Sequence, residues 1–564
     1  MNRSEILFAL HSSSPSVLII GAGINGIGVF RDLALNGVDV LLIDRGDFCS
    51  GASAASSHMA HGGIRYLENG EFRLVREAVQ ERNRMIENAP HLVRPLPTTI
   101  PIFKMFSGLL NAPLKFLNVL NRPSERGAFV IKVGLMLYDA YTSAQKTVPP
   151  HKVLNRAESL AKWKALNADV LYTATYYDGA ILSPERLALE LILDAEADHP
   201  GARALNYVSL VSAKDDQVTL RDELTNSLFT IHPKLVINAA GPWIDLVNRS
   251  LNLSTNLIGG TKGSHLVIDH PELRATIGDH EFFFENKDGR IVLIFPLFDK
   301  VMIGTSDIAI TDPDSVICSA DEETYFIEMI TRVFPSIKID RSQIVFRFSG
   351  VRPLPAAKAK TTGQISRDHR IEELSGYGTG LRFPIYSLVG GKWTSFRAFA
   401  EQMTNKALAF LKRKRSKYTR SLPIGGGRNY PQNDQDKKKF LDGLRAWTNL
   451  SASRLQTLFD RYGTRAEQIA IFVSKSDDAP LQFLPDYSRR EIAYLALNEK
   501  ITHLDDLILR RSMLAMLGQI NRARLTELAA CLGDALGWDQ TQKIAETDRA
   551  IAILAERHGV ILRG

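Results

Sequence analysis

The 564-residue chain is 45% hydrophobic and 23% charged, the balance of a soluble globular protein of three or more packing units, and this excludes wholesale disorder. Its 69 Lys and Arg against 62 Asp and Glu leave a net charge of +7, a mild excess that favours anionic partners: a phosphorylated metabolite, an anionic membrane surface or nucleic acid. Three scattered cysteines, Cys49, Cys318 and Cys531, argue against a disulfide framework or a metal site, and no apolar run approaches the ~18 residues of a spanning helix, so a cytoplasmic protein is expected.

The first predicted strand, Val17–Ile20, runs into GAGINGIG, and an apolar-periodic helix follows as far as Gly37. VDVLLID then reads as a second, parallel strand ending at Asp44, which completes a strand–glycine turn–helix–strand unit. GASAASSHMAHGGIRYLE has side chains too small for an ordinary surface helix. From Ile100 to Tyr141 clustered apolar residues mix with Lys104, Lys115 and Arg122, as in a cap element or, alternatively, an amphipathic membrane-contacting surface. LVINAAG (Leu235–Gly241) is a further buried strand, with Pro242 opening a helix. HLVI, RIVLIFPLF and VMIGTSD alternate as an antiparallel sheet does. The run KRKRSKYTR (412–420) carries six cations in nine positions, and LPIGGGRNYP after it is expected to be a linker. The remaining chain reads as helices without evident chemistry, with capping boxes at Ser488–Glu491 and Thr502–Asp505.

Each glycine of the first turn has a physical task. Gly21 makes the tight bend, Gly23 lets backbone approach a pyrophosphate, and Gly26 lets helix and strand pack closely. The helix N-terminus offers N–H groups to phosphate, and Asp44 would accept from a ribose. Two further small-residue approaches, Ala240–Gly241 and Gly390–Gly391, lie far along the chain. Three such approaches suit a long cofactor, which favours FAD over NAD.

GAGINGIG, SAASSHMAHGGIRYLE, EFRLVREA, NAAGPW, KGSHLVI, IGTSD, SGVRPL, SRDH and GGKWTSFR occur in the order seen in FAD-dependent glycerol-3-phosphate dehydrogenases. Over residues 15 to 400 the chain resembles these membrane-associated, quinone-reducing enzymes of the D-amino-acid-oxidase-like superfamily, and its helical tail resembles their C-terminal domain. The sequence departs from the pattern at Asp44, where Glu is usual, and at His58, where bacterial enzymes often have Lys. The resemblance implies an α/β + α architecture. A discontinuous Rossmann-like FAD-binding domain is expected at 15–100, 150–245 and 345–415, an antiparallel-sheet substrate or cap domain at 101–149 and 246–344, and a helical domain at 430–564. FAD is then expected to contact Gly21, Gly23, Gly26, Asp44, Ser57, His61, Gly62, Gly63, Ala240, Gly241, Gly391 and Thr394.

A phosphorylated polyol needs a cationic clamp, and Arg65, Arg352 and Arg367 sit in motifs with backbone-exposing neighbours. By resemblance Arg65 and Arg367 hold the phosphate, Tyr66 and Thr305 contact the substrate, and Arg352 lies nearer the reacting carbon. Alcohol oxidation must favour a developing alkoxide. Lys392, after Gly390–Gly391, is the cation expected near the flavin, and His265 is the candidate neutral base. His61 is expected to contact flavin or shape its turn rather than carry protons. Thr305 and Asp307 are expected to line the pocket.

The expected reaction is oxidation of sn-glycerol 3-phosphate to dihydroxyacetone phosphate, with electrons passing to a quinone at the inner face of the cell membrane, where the protein would bind peripherally. A related polyol phosphate such as erythritol phosphate, or oxygen as acceptor, is the alternative, and a homodimer is left open. Amino-acid oxidation would need one guanidinium clamp rather than several. Nucleic-acid binding is disfavoured, because +7 over 564 residues is dilute and no binding module is present.

Overall fold

The computed structural model describes residues 3–63, 72–104, 135–136, 138–139, 147–286, 290–356, 368–374 and 380–562. Of the expected apolar–basic segment beyond Lys104, only residues 135–136 and 138–139 are described, with Leu135 and Tyr138 buried. Within the described residues, two large sheets and a helical domain are built around shared cores.

The first sheet has six strands in the order Arg370–Leu374, Ile385–Val389, Leu235–Asn238, Val17–Ile20, Val40–Ile43 and Ala202–Leu205. All neighbours run parallel except the outer pair Arg370–Leu374 and Ile385–Val389. A parallel sheet is buried on both faces, and the sequence meets that demand with unbroken apolar strands. Val17, Ile19, Val40, Leu42 and Ile237 pack under the helices Ile24–Leu35, Pro184–Asp198 and Phe396–Phe410. The alternate residues Leu18, Ile20, Leu41, Ile43 and Val236 face a three-stranded antiparallel sheet, Val208–Lys214, Gln217–Asp222 and Leu228–Ile231.

The second sheet is antiparallel but for one junction, Val93–Ile102 with Glu281–Glu285. Its strands include Thr261–Ile268, Glu281–Glu285, Ile291–Leu297, Lys300–Gly304 and Ile344–Arg352, joined by Val93–Ile102 and Tyr172–Ile181. Those last two strands, and Ile344–Arg352, come from stretches expected to form the FAD-binding layer, so the chain crosses between layers more often than the expected segments imply. Pleating sorts its side chains. Leu266, Ile268, Phe282, Phe284, Ile294 and Ile303 pack beneath the helix Ala320–Val333. Val267, Phe283, Leu293, Phe295 and Met302 take the opposite face.

The helical domain shares a core with this second sheet: Leu455, Leu458, Leu495, Leu528 and Leu554 belong to the same apolar cluster as Phe346 and Phe348. His558 stacks on Phe346 at 4.2 Å and its Nδ1 lies 2.8 Å from the Arg347 carbonyl. The capping box at Ser488–Glu491 forms as expected on the Ser488 side, which accepts from the Glu491 amide. The second sits one residue later than expected, at His503–Asp506, where the Asp506 carboxylate accepts from both the Thr502 and His503 amides. The expected linker is a correction of another kind. Gly425–Gly427 form a buried 3-10 turn, in which a Cβ on Gly426 would fall 1.9 Å from the Tyr462 carbonyl oxygen. The glycines serve close packing there, not freedom of movement. The basic run before it folds back on the first layer: Arg413 donates to the Gly37 carbonyl, Arg415 to Asp32 and Arg420 to Glu401.

Candidate active site

The glycine turn lies at the carboxyl edge of the parallel strands, where α/β sheets bind ligands. Gly21 has φ +103°, and a Cβ there would sit 2.7 Å from the Ala239 carbonyl oxygen. A Cβ on Gly26 would fall 2.0 Å from the Gly21 carbonyl oxygen. These two glycines answer to the protein's own packing. Gly23 differs, since its Cβ would meet only Ser53 Oγ at 3.2 Å, so the space it leaves faces the cradle's mouth. Gly23 offers the helix Ile24–Leu35 no capping side chain of its own, and Ser53 Oγ from the small-residue loop accepts from the Ile24 amide at 3.0 Å, so the positive helix end faces the cradle with its first amide already held.

Asp44 buttresses this turn. One carboxylate oxygen accepts from the Ala22 amide at 2.7 Å and the other from the Gly46 amide at 3.0 Å. Burial raises its pKa to about 6, against the lowering effect of those amides. Ala239 touches Gly21 and Gly26, which brings the Leu235–Asn238 strand end, and with it Ala240 and Gly241, to the same mouth. The third approach closes the ring. Asn25 donates to the Gly390 carbonyl at 3.1 Å, and a Cβ on Gly391 would collide with the Asn25 amide nitrogen at 2.3 Å. Asn25 Oδ1 is buried with no hydrogen-bond partner among the described residues. A glycine turn at a helix start, an orphaned acceptor and three small-residue approaches that converge on that turn fit a dinucleotide.

The small-residue loop bridges the two sheets. Trp393 donates to the Ser53 carbonyl at 3.0 Å, and Thr394 Oγ1 accepts from the His61 amide at 2.9 Å. Gly350 meets Ala55, where a Cβ would lie only 2.4 Å from the alanine methyl. Lys392, between Gly391 and Trp393, lies close enough to His369 to help lower that imidazole's pKa, after burial and Arg73.

Two imidazoles face the pocket from the second sheet's cofactor side. His265, Gly304, Leu293 and Phe283 are cross-strand neighbours in one row, and His61 stacks on Phe283 at 5.8 Å. His265 stacks on Phe348 at 4.7 Å, fills the space that a side chain at Gly304 would need, and pairs through Nε2 with Ser57 Oγ at 2.8 Å. Its Nδ1 has no partner among the described residues. Burial, then Arg352 and His58, lower its pKa to about 3, so the ring is neutral and weakly basic.

His61 is held differently. Its Nδ1 lies 2.8 Å from Asp178 Oδ2, while Asp178 Oδ1 accepts from the Gly62 amide at 2.8 Å and from Tyr138 Oη at 2.7 Å. Burial pushes the Asp178 carboxyl up, but His61 and Arg82 outweigh it and hold it below the ordinary range. An ionised Asp178 fixes the Nδ1–H tautomer and leaves Nε2 as the acceptor. Gly62 is required here, because its Cβ would fall 2.0 Å from Tyr138 Oη, and Gly63 continues the turn at φ +77°. Asp178 and Asn25 were not legible as site residues. The one available signal for Asp178 was a carboxylate inside the apolar strand YTATYYDGAI.

Arg352 ends the strand Ile344–Arg352, and the missing side chain of Gly263 makes room for its guanidinium. It donates to Thr305 Oγ1 at 2.7 Å, to the Ser306 carbonyl at 3.0 Å and to Asp307 at 3.1 Å. Thr305 and Asp307 thus orient Arg352. Arg65, Tyr66 and Arg367 lie outside the described residues.

Residues 16–382 match the family described as FAD dependent oxidoreductase, and residues 417–543 match the C-terminal domain of alpha-glycerophosphate oxidase. A glycerol-3-phosphate dehydrogenase from Synechocystis sp. is 33% identical over 94% of this chain and 95% of its own. The chain belongs to the FAD-dependent glycerol-3-phosphate dehydrogenase family. A D-erythritol 1-phosphate dehydrogenase from Brucella abortus is 29% identical over 89% of this chain and 92% of its own. In fold, the flavoprotein is similar to the glycerol-3-phosphate dehydrogenase from Bacillus halodurans complexed with FAD, at TM-score 0.75 and 22% identity, covering 98% of this chain and 97% of that one. FAD is the cofactor of this family member. Among its described residues no helix is long and apolar enough to cross a membrane.

Proposed function

We propose that the protein oxidises sn-glycerol 3-phosphate to dihydroxyacetone phosphate, with hydride leaving C2 for flavin N5 and the electrons passing on to a quinone. When bound, FAD supplies the ring that accepts the hydride. The observation that carries the reading is that Arg352 lies near the neutral His265, which bonds Ser57 of the loop that joins the two sheets. Arg352, with Lys392, stabilises the alkoxide that develops as hydride leaves. His61, with its tautomer fixed by Asp178, takes the hydroxyl proton at Nε2, because a conjugate acid near 3 makes His265 a poor acceptor. His265 instead orients the substrate through the Ser57 bond and its Nδ1. Arg65 and Arg367 hold the phosphate.

A quinone acceptor implies peripheral contact with the inner face of the cell membrane. Of the basic run, Lys412, Lys414 and Lys417 remain the candidates for anionic lipid, since Arg413, Arg415 and Arg420 are engaged within the fold.

The test is flavin bleaching under anaerobic conditions with sn-glycerol 3-phosphate, D-erythritol 1-phosphate, glycerol and lactate. Glycerol 3-phosphate should reduce the flavin fastest, and glycerol should be very poor, because a guanidinium clamp left unpaired is costly. Comparable rates with glycerol would remove the phosphate-clamp argument. The Brucella relative favours a second reading, an erythritol phosphate substrate. The match to an alpha-glycerophosphate oxidase domain favours oxygen as the second candidate acceptor.

A further inference from the structure

The turn that follows Asp44 is gripped by the helical domain. Asp47 is fully buried three residues beyond Asp44, and Arg510 Nε reaches its carboxylate at 2.5 Å. Arg511 forms a paired contact with the same carboxylate, through Nη1 to Oδ2 and through Nη2 to Oδ1 at 2.9 Å. Both arginines come from the turn Leu507–Arg511 in the helical domain. Burial alone would raise the Asp47 carboxyl, but Arg511 and Arg510 outweigh it and keep it ionised.

The rest of the cluster is cross-braced. Arg510 also binds Asp506 at 2.7 Å, and Tyr207 Oη donates to Asp506 at 2.6 Å. Asn206 donates to Asp47 at 2.9 Å and to the Lys500 carbonyl at 3.0 Å. The backbone carries the grip to the cradle. The Tyr207 amide donates to the Gly46 carbonyl at 2.9 Å, the Val208 amide to the Asp44 carbonyl at 2.7 Å, and the Cys49 amide to the Ala22 carbonyl at 2.8 Å inside the glycine turn. The Asp44 carboxylate itself bonds Ala22 and Gly46. Within the turn, the helical domain's contact falls on Asp47, and the backbone bonds of Asp44, Gly46 and Cys49 pass it on to the glycine turn.

We propose that Arg510 and Arg511 are positioning residues for FAD: by fixing Asp47 they set the Asp44–Gly46 turn against the adenosine ribose, so helical-domain docking and FAD affinity are coupled. The inference rests on the reading that Asp44 meets that ribose. Coupling of this kind is reciprocal, so FAD also stabilises the docked helical domain.

The measurement is the dissociation constant for FAD, from flavin fluorescence released on dilution of the full-length holoprotein, beside the thermal midpoint of each variant. Arg511→Met should raise it at least about tenfold, Arg511→Lys should recover part of the loss, and the milder Asn206→Ala should raise it by about threefold. Arg454→Met is the control. Arg454 bonds Ser488 and Glu491 wholly within the helical domain, so its loss should lower the thermal midpoint but leave FAD affinity within about twofold. FAD should also slow proteolysis of the helical domain, and less so in Arg511→Met. If Arg511→Met does not fold, Asn206→Ala decides. Unchanged FAD affinity in the Arg511 and Asn206 variants, while Asp44→Ala weakens it, overturns the coupling. So does an equal loss in Arg454→Met, which would mean general loosening. Unchanged affinity in Asp44→Ala overturns the underlying reading of Asp44 and the coupling with it.

Discussion

Replacing Asp178 with asparagine is nearly isosteric, yet the structure assigns it two separable costs. The first is stability. Arg82 is fully buried, and its other partners, Asn83, Tyr138 Oη and the Tyr177 carbonyl, are all neutral. Asp178, 3.8 Å away, supplies its counter-charge. Leaving a buried guanidinium without one costs roughly 3–5 kcal/mol. At about 2–4 °C per kcal/mol for a cooperative unit of 150–250 residues, the thermal midpoint should fall on the order of 10 °C. The second cost is kinetic. Asparagine can present its NH2 to His61 and invert the tautomer, so that Nε2 carries a proton and no longer accepts one. Losing an oriented general base slows the chemical step about 10²- to 10⁴-fold. Rapid mixing of the holoprotein with saturating glycerol 3-phosphate, anaerobically and well below the lowered midpoint, reads that step as flavin bleaching. A variant that keeps its flavin and is reduced within about threefold of the wild-type rate would refute the role given to the His61–Asp178 pair.

Other substitutions separate protein packing from ligand contact. Gly23→Ala should leave the fold intact and weaken FAD binding, whereas Gly26→Ala should destabilise the protein even without flavin, because its methyl would meet the Gly21 carbonyl; thermal midpoints with and without flavin check both. Gly263→Ala would place a Cβ 2.3 Å from Arg352 Nη2, so it should slow flavin reduction at saturating substrate much as Arg352→Met does, and equal rates for Gly263→Ala and wild type would argue against Arg352. The folded-state pKa values of His58 and His265, about 4 and about 3, lie below the unfolded imidazole value, so stability is complete above it and is lost as pH falls. Each should contribute about 1.4 kcal/mol per pH unit between roughly pH 6 and pH 4, and His265→Asn should remove one such share from the slope of denaturation against pH. Sedimentation with anionic vesicles should be reduced by replacing Lys412, Lys414 and Lys417 together, and it should be lost in high salt.

The sequence alone determined whatever is coded by neighbours along the chain. The first strand, the glycine turn, the helix and Asp44 follow one another within a single unit, so hydrophobic periodicity and glycine spacing sufficed to place the cradle. The apolar strands of the parallel sheet and the alternation in the second sheet were legible for the same reason. Tertiary structure alone decided which charges meet. Asp178 and His61 are 117 residues apart, and Asp47 and Arg510 are 463 apart. A buried carboxylate must find a cation or donors, because an isolated charge in a low-dielectric interior is too costly to keep. That rule says a partner exists without saying where. It also explains why GGG looked like a linker and became a packed turn, and why half of the basic run is engaged within the fold. Glycine permits both freedom and close approach, and lysine and arginine permit both solvation and pairing. Only the surrounding fold chooses between them.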